Sequence, residues 1–188
     1  MKTFRMSVDD CIVFLQELAD GKYTAVFDQP FLRLLKTLHD KYGAGFCLNL
    51  FYDNSAAEGF PAKPAFDLSR FPDRFRDTFA ANSDWLRFSF HAAREYPAYA
   101  YAHATYASAY ADCAAVNREI VRFAGADSLS DEMTMHFGLI GRDAFPALVD
   151  LGYRCFYGYL AVDEAGEAHG SYYFDPEFLR RHPEDCFT

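Results

Sequence analysis

The sequence predicts an α/β domain built on a mainly parallel sheet, and three observations lead there. Short runs of apolar, β-branched and aromatic residues alternate with segments whose apolar residues recur every three or four positions. The groups best suited to chemistry fall where the short runs end. The chain has 188 residues, 51% hydrophobic and 24% charged, which suits one globular domain and not two, nor a disordered chain. We therefore take residues 1–188 as a single domain, with 163–188 forming a hairpin and a C-terminal appendage.

The first predicted strand covers Thr3 to Val8 and runs into Asp9 and Asp10. Ile12, Leu15 and Leu18 then recur at helical spacing as far as Gly21. Asp28 stands before Pro30 as an N-cap would, and Phe31, Leu34, Leu35, Leu38 and Tyr42 mark one face of a second helix, which Gly43 and Gly45 end. Phe46 to Tyr52 reads as a strand. Residues 53–67, rich in Ala, Gly, Pro and Asn, read as a loop. A helix over Asp73 to Ala81 leads to a third strand, Trp85 to Phe90, which ends at His91. A long helix from Thr105 to Ala124 precedes a short strand, Met133 to His136. Pro146 is tolerated in the first turn of the next helix, where its missing N–H had no partner. Gly152 closes that helix, Tyr153 to Val162 forms a fifth strand, and residues 163–167 turn the chain back into Ser171 to Phe174.

A net charge of -9 with no basic cluster speaks against nucleic acid as a partner. No apolar run is long enough to cross a bilayer, and the N-terminal residues lack a secretory h-region. Cys11, Cys47, Cys113, Cys155 and Cys186 are scattered, odd in number and without a C-x-x-C pair, so they read as reduced thiols of a cytoplasmic protein. Most of them read as buried small apolar residues, a nucleophilic role for Cys11, beside the acidic pair, being the lesser alternative.

Asp9 and Asp10 end the first strand, His91 the third and His136 the fourth, on the edge where α/β folds build their sites. An acidic pair ahead of a helix also serves as an ordinary N-cap, and His91 and His136 also fit as hydrogen-bonded strand-end residues. His39 is expected to be solvated, and His103, His169 and His182 are given no role.

Ser7-Val8-Asp9-Asp10-Cys11 resembles the T-F-D-D-G motif of the polysaccharide deacetylase (NodB-homology) family, with Cys11 in place of Gly. In His91-Ala92-Ala93-Arg94-Glu95 the first position of that family's H-x-x-x-H motif is kept and the second is Glu95. Met135-His136-Phe137-Gly138, followed by a helix and Gly152-Tyr153, follows the layout of its R-P-P-Y-G motif without the Arg. The late Leu-x-His motif has no match. The resemblance spans roughly residues 3–160. It implies a distorted, incomplete (β/α) barrel and hydrolysis of the N-acetyl amide of a sugar or similar small molecule. A divalent metal, zinc by ligand type, would be held by Asp10, His91 and Glu95, with Asp9 as base and His136 as acid. Trp85, Tyr96 and Tyr99 would serve as platforms for a sugar ring, although packing explains such tyrosines as well. The alternative is an inactive relative that binds carbohydrate or protein. The open edges of a short barrel also suggest a homo-oligomer.

Overall fold

The computed structural model describes residues 5–55, 65–158, 160–162 and 168–170. Its elements are β1 (Arg5–Cys11), α1 (Val13–Ala19), α2 (Pro30–Tyr42), β2 (Gly45–Phe51), α3 (Arg76–Ala80), β3 (Leu86–Ala92), α4 (Tyr106–Ala124), β4 (Glu132–Thr134), α5 (Phe145–Asp150), β5 (Cys155–Tyr157), β6 (Leu160–Val162) and β7 (Ala168–Gly170). Strands β1, β2 and β3 pair in parallel in that order, and β4 pairs in parallel with β5. A parallel bridge from Phe88 to Leu129, with Ser130 N–H donating to the Phe88 carbonyl at 2.8 Å, carries the sheet from β3 towards β4. The sheet curls, because Ser7 on β1 meets Thr134 on β4 side chain to side chain at 3.4 Å and the Cys47 thiol reaches the Glu132 carbonyl. Among the described residues the strands do not close into a barrel.

Strand β2 lies between two neighbours, and six of its seven residues are buried. That is why Phe46-Cys47-Leu48-Asn49-Leu50-Phe51 reads as an almost unbroken apolar run and not as an alternation. The outer face of β3 carries Phe88 into an aromatic cluster with Phe79 and Phe123, at centroid distances of 5.2 and 5.5 Å, and Phe71 lies 5.0 Å from Phe123. These ring pairs are each worth about 0.5–1.5 kcal/mol beyond the area they bury. Arg122 on α4 ties the cluster's edge down by donating to the Leu68 and Phe71 carbonyls, both at 2.8 Å, while pairing with Glu119 at 2.7 Å.

Several local expectations are corrected. The N-cap of α2 is Gln29, not Asp28, because Pro30 sits at the first helical position and the cap must directly precede it. Gln29 Oε1 accepts from Leu32 N–H at 2.9 Å. The buried stripe of α2 is Leu32 and Leu35, whereas Leu34 and Tyr42 face solvent at 55% and 67% exposure. Thr105 caps α4 and does not begin it. The fifth predicted strand is divided into β5 and β6, and β6 pairs antiparallel with β7. The predicted partner Ser171 to Phe174 lies outside the described residues, as does Cys186.

Trp85 is not a surface platform. It is 6% exposed at the start of β3, and its indole N–H donates to Asn82 Oδ1 at 3.0 Å. Its ring stacks 4.5 Å from His39, which is therefore half-buried and not solvated. The six residue steps from Trp85 to His91 span about 20 Å, so the two mark opposite ends of the strand. Cys11, Cys47 and Cys113 are buried free thiols and Cys155 is a half-buried one. Burial, reinforced by the Asp9 and Asp10 charges, pushes the Cys11 thiol far up, which removes it as a nucleophile. No described helix is long and apolar enough to cross a membrane.

Phe79→Ala empties the centre of the ring cluster. It should cost about 3–5 kcal/mol in urea unfolding with an unchanged m-value.

Candidate metal centre

Two irregularities in the sheet build the site. Between the pairs Val8↔Leu48 and Cys11↔Leu50, β1 carries one residue more than β2, so Asp9 and Asp10 oppose Asn49 alone. Between Leu50↔Phe90 and Phe51↔Ala92, β3 carries one residue more than β2, and that residue is His91. Each bulge re-aims side chains at the C-terminal ends of parallel strands. Asp10 takes a left-handed backbone conformation, φ 57°, which aspartate tolerates better than most residues. His136 arrives from the turn after β4, a single 3-10 turn over His136–Gly138.

The hydrogen bonds of the two imidazoles fix where their protons sit. His91 Nδ1 lies 2.5 Å from the Thr134 carbonyl, and His136 Nε2 lies 2.9 Å from the Glu95 carbonyl. A carbonyl only accepts, so each of these outer nitrogens must donate. In the neutral rings the inner nitrogens, His91 Nε2 and His136 Nδ1, then carry lone pairs. They face each other at 3.0 Å, and Asp10 Oδ1 lies 3.1 Å from the first and 3.4 Å from the second. With a proton on the inner nitrogens in place of a cation, the hydrogen bond from His91 becomes the main cause holding the Asp10 carboxyl below its ordinary range, with the charges of both histidines adding and partial burial opposing.

Three lone-pair donors converge here, an arrangement that a cation would satisfy. A single proton bridges two of them but not all three. For metal–ligand distances of about 2.05 Å, neighbouring ligand atoms are about 2.9 Å apart in an octahedron and about 3.4 Å apart in a tetrahedron. The observed edges, 3.0, 3.1 and 3.4 Å, fall within that span. Asp10, His91 and His136 can therefore hold a metal ion. Each histidine is oriented by a carbonyl on its other nitrogen, as metal-bound histidines generally are.

The surroundings hold these groups in place. Asn49, fully buried on β2, donates from Nδ2 to Ser7 Oγ and to Asp9 Oδ1, both at 2.6 Å. Two buried tyrosines flank His91: Tyr153 Oη accepts from Phe90 N–H at 3.0 Å, and Tyr101 Oη accepts from Ala93 N–H at 3.0 Å. The Tyr153 hydroxyl donates to Asn117 Oδ1 at 2.7 Å and that of Tyr101 to Asp112 Oδ2 at 2.9 Å. Burial raises the pKa of both phenols, so both stay protonated. Gly141 comes so close to the Ala102 carbonyl that a Cβ there would stand 2.4 Å from it, which keeps the 139–141 segment tight against the loop after β3.

The triad opens into a cleft of about 420 Å³ lined by Asp9, Glu95, Phe137 and Tyr157 among others. The structure brings together Asp9, Asp10, His91, Glu95 and His136, but in altered roles. The third converging donor is His136, not Glu95, whose Oε1 lies 3.9 Å from His136 Nε2, on the side away from the triad. Both nitrogens of His136 are engaged, so it does not offer a proton to the cleft. Tyr99 and Tyr96 reach the cleft through Phe137, at centroid distances of 5.0 and 6.5 Å. Asn49, Tyr101 and Tyr153 were missed, because the strand residue, the turn tyrosine before α4 and the tyrosine after α5 carry no local motif. The unbroken polarity of Asn49 within an otherwise apolar strand was the available signal.

Fold and site together define an α/β protein with a candidate N₂O metal centre at its strand ends. The chain matches no protein-family model, no curated protein and no solved structure.

Tyr153→Phe leaves the Phe90 N–H and the Asn117 carbonyl oxygen buried without this partner. It should lower stability by about 1–3 kcal/mol in denaturant unfolding, far more than an exposed Tyr42→Phe.

Proposed function

We propose that this chain is a divalent-metal-dependent hydrolase, zinc being the metal its donor set suits, which cleaves the amide of an N-acetylated sugar or similar small molecule. The observation that carries this reading is the convergence of Asp10, His91 and His136 beside a second, separately held carboxylate, Asp9. One oxygen and two imidazoles with an open side is the kind of set that suits catalytic zinc. The resemblance to the polysaccharide deacetylases supports it further: that family's metal set, one Asp and two His, is matched in kind, with His136 taking the part that Glu95 leaves vacant. The curled parallel sheet is compatible with the family's incomplete barrel.

A divalent metal held there supplies Lewis acidity, polarising an amide carbonyl and lowering the pKa of water. Asn49 engages Asp9 Oδ1, which fixes the carboxylate and leaves Oδ2 to take a proton from the attacking water. As the water oxygen bonds to the carbonyl carbon and the C–N bond breaks, Asp9 returns the proton to the departing nitrogen. The products are a carboxylate and a free amine. His91 and His136 do not move protons in this scheme, because the Thr134 and Glu95 carbonyls hold theirs.

Elemental mass spectrometry on tag-free protein, with acetate release from N-acetyl amides, tests both halves. The parent should hold close to one metal per chain, while Asp10→Asn, His91→Ala and His136→Ala hold little. Asp9→Asn should keep its metal and lose activity by about 10²–10⁴-fold. A His136→Ala protein that keeps its metal and loses only turnover would return His136 to the role of acid. A metal-loaded parent that hydrolyses no amide would remove the activity and leave a metal-holding binding module.

A further inference from the structure

The walls of the cleft bear on the charge of what enters it. Its lining carboxylates are Asp9, Asp10 and Glu95, and among the described residues neither Lys nor Arg lines it. Three carboxylates exceed the charge of a divalent metal by one. Arg94, next in the chain to Glu95, is drawn aside into a 2.9 Å ion pair with Asp53. Glu95 is half-exposed, and its one ionic neighbour among the described residues is His136, whose Nε2 proton goes to the Glu95 backbone carbonyl. The Glu95 carboxylate is thus unbalanced at the mouth of a site that already holds two deeply buried, inward-facing imidazoles, 2% and 7% exposed.

Aromatic faces complete the mouth. Phe137 lines the cleft with Tyr99 packed 5.0 Å from it, and both are held at φ 56°, a conformation rare for aromatic residues. Such strain persists where the surrounding structure imposes it, and it clusters at ligand sites. The Tyr157 ring stands on another wall, with its hydroxyl donating to Glu132 at 2.9 Å, a further carboxylate beside the cleft. A carboxylate facing aromatic rings is the environment that recognises an organic ammonium.

We propose that the amide taken by this site carries a protonated amine of its own, which rests between Glu95 and the Phe137 ring while the acyl amide lies over Asp10, His91 and His136. The substrate class is an N-acylated diamine or an amino sugar with a free amine beside the acylated one. This rests on the hydrolase reading for the amide half alone. Recognition of the ammonium is separable from hydrolysis. Amides bearing phosphate or carboxylate are excluded by the same carboxylates.

Two substrate pairs test it on the metal-loaded protein. One is N-acetyl-1,4-diaminobutane against N-butylacetamide, and the other is a glucosamine–N-acetylglucosamine disaccharide against its fully acetylated form. The charged member of at least one pair should have a kcat/KM at least about tenfold higher, within the range of one ammonium contact. The pair that shows it tells the diamine from the sugar. Glu95→Gln and Phe137→Leu, compared at equal metal content, should shrink that preference chiefly through KM. Equal or reversed preference in both pairs, or a preference that survives Glu95→Gln, overturns the proposal.

Calorimetric titration of the same protein with butyltrimethylammonium, which cannot coordinate a metal, against butanol and butyrate gives a readout without turnover. Binding of the ammonium alone, weakened at least about tenfold by Glu95→Gln, supports the recognition even if no amide is cleaved, and the hydrolase reading then falls separately. Absence of ammonium binding in a protein that does hydrolyse amides overturns this inference and leaves the hydrolase standing.

Discussion

The imidazoles of His91 and His136 each donate a hydrogen bond to a backbone carbonyl, at Thr134 and Glu95, and the arrangement of the strand ends follows from satisfying both bonds at once. The first bond ties the bulge of β3 to the end of β4, and the second ties the turn after β4 to the loop after β3. With both made, the remaining nitrogens cannot turn away, and Asp10 completes a set of acceptors whose mutual distances match a coordination shell. A cation held by that set would offset the cost of bringing lone pairs together in a partly buried place.

Holding such a set demands polar groups inside the sheet, and each is matched. Asn49 on the central strand is fully buried yet bonded to Ser7 and Asp9, and the tyrosine hydroxyls at 101 and 153 meet the backbone on either side of His91. Among the described residues no buried side-chain nitrogen or oxygen lacks a partner. A half-satisfied network of this kind would be worse than an apolar one, so the supports belong to the site as much as its ligands do. The apolar side of the structure, from Phe71 to Phe123, supplies the rigidity against which those bonds are set.

Much of this was legible in the chain. The order of elements, the long helix that follows Thr105, the proline in the first turn of α5 and the edge carrying Asp9, Asp10, His91 and His136 all follow from spacing and from the rule that parallel strands present sites at their C-terminal ends. The assignment of Glu95 failed because a motif register places a residue on a loop without saying which way its side chain points. Here the loop sets the Glu95 carbonyl 2.9 Å from His136 Nε2 and leaves its carboxylate 3.9 Å from that same nitrogen, beside the cleft but not among the three donors. Trp85 failed because aromatic character alone does not separate a platform from a core residue at the far end of the same strand.

The sequence by itself determined the elements, their order and the identity of the groups at the strand ends, since these depend on local periodicity, caps and breakers. Tertiary structure alone decided the two bulges, the tautomers of two histidines and the choice of His136 over Glu95 as third donor. Those depend on which carbonyl faces which ring across 41 and 43 residues of chain, and no local pattern encodes such a contact.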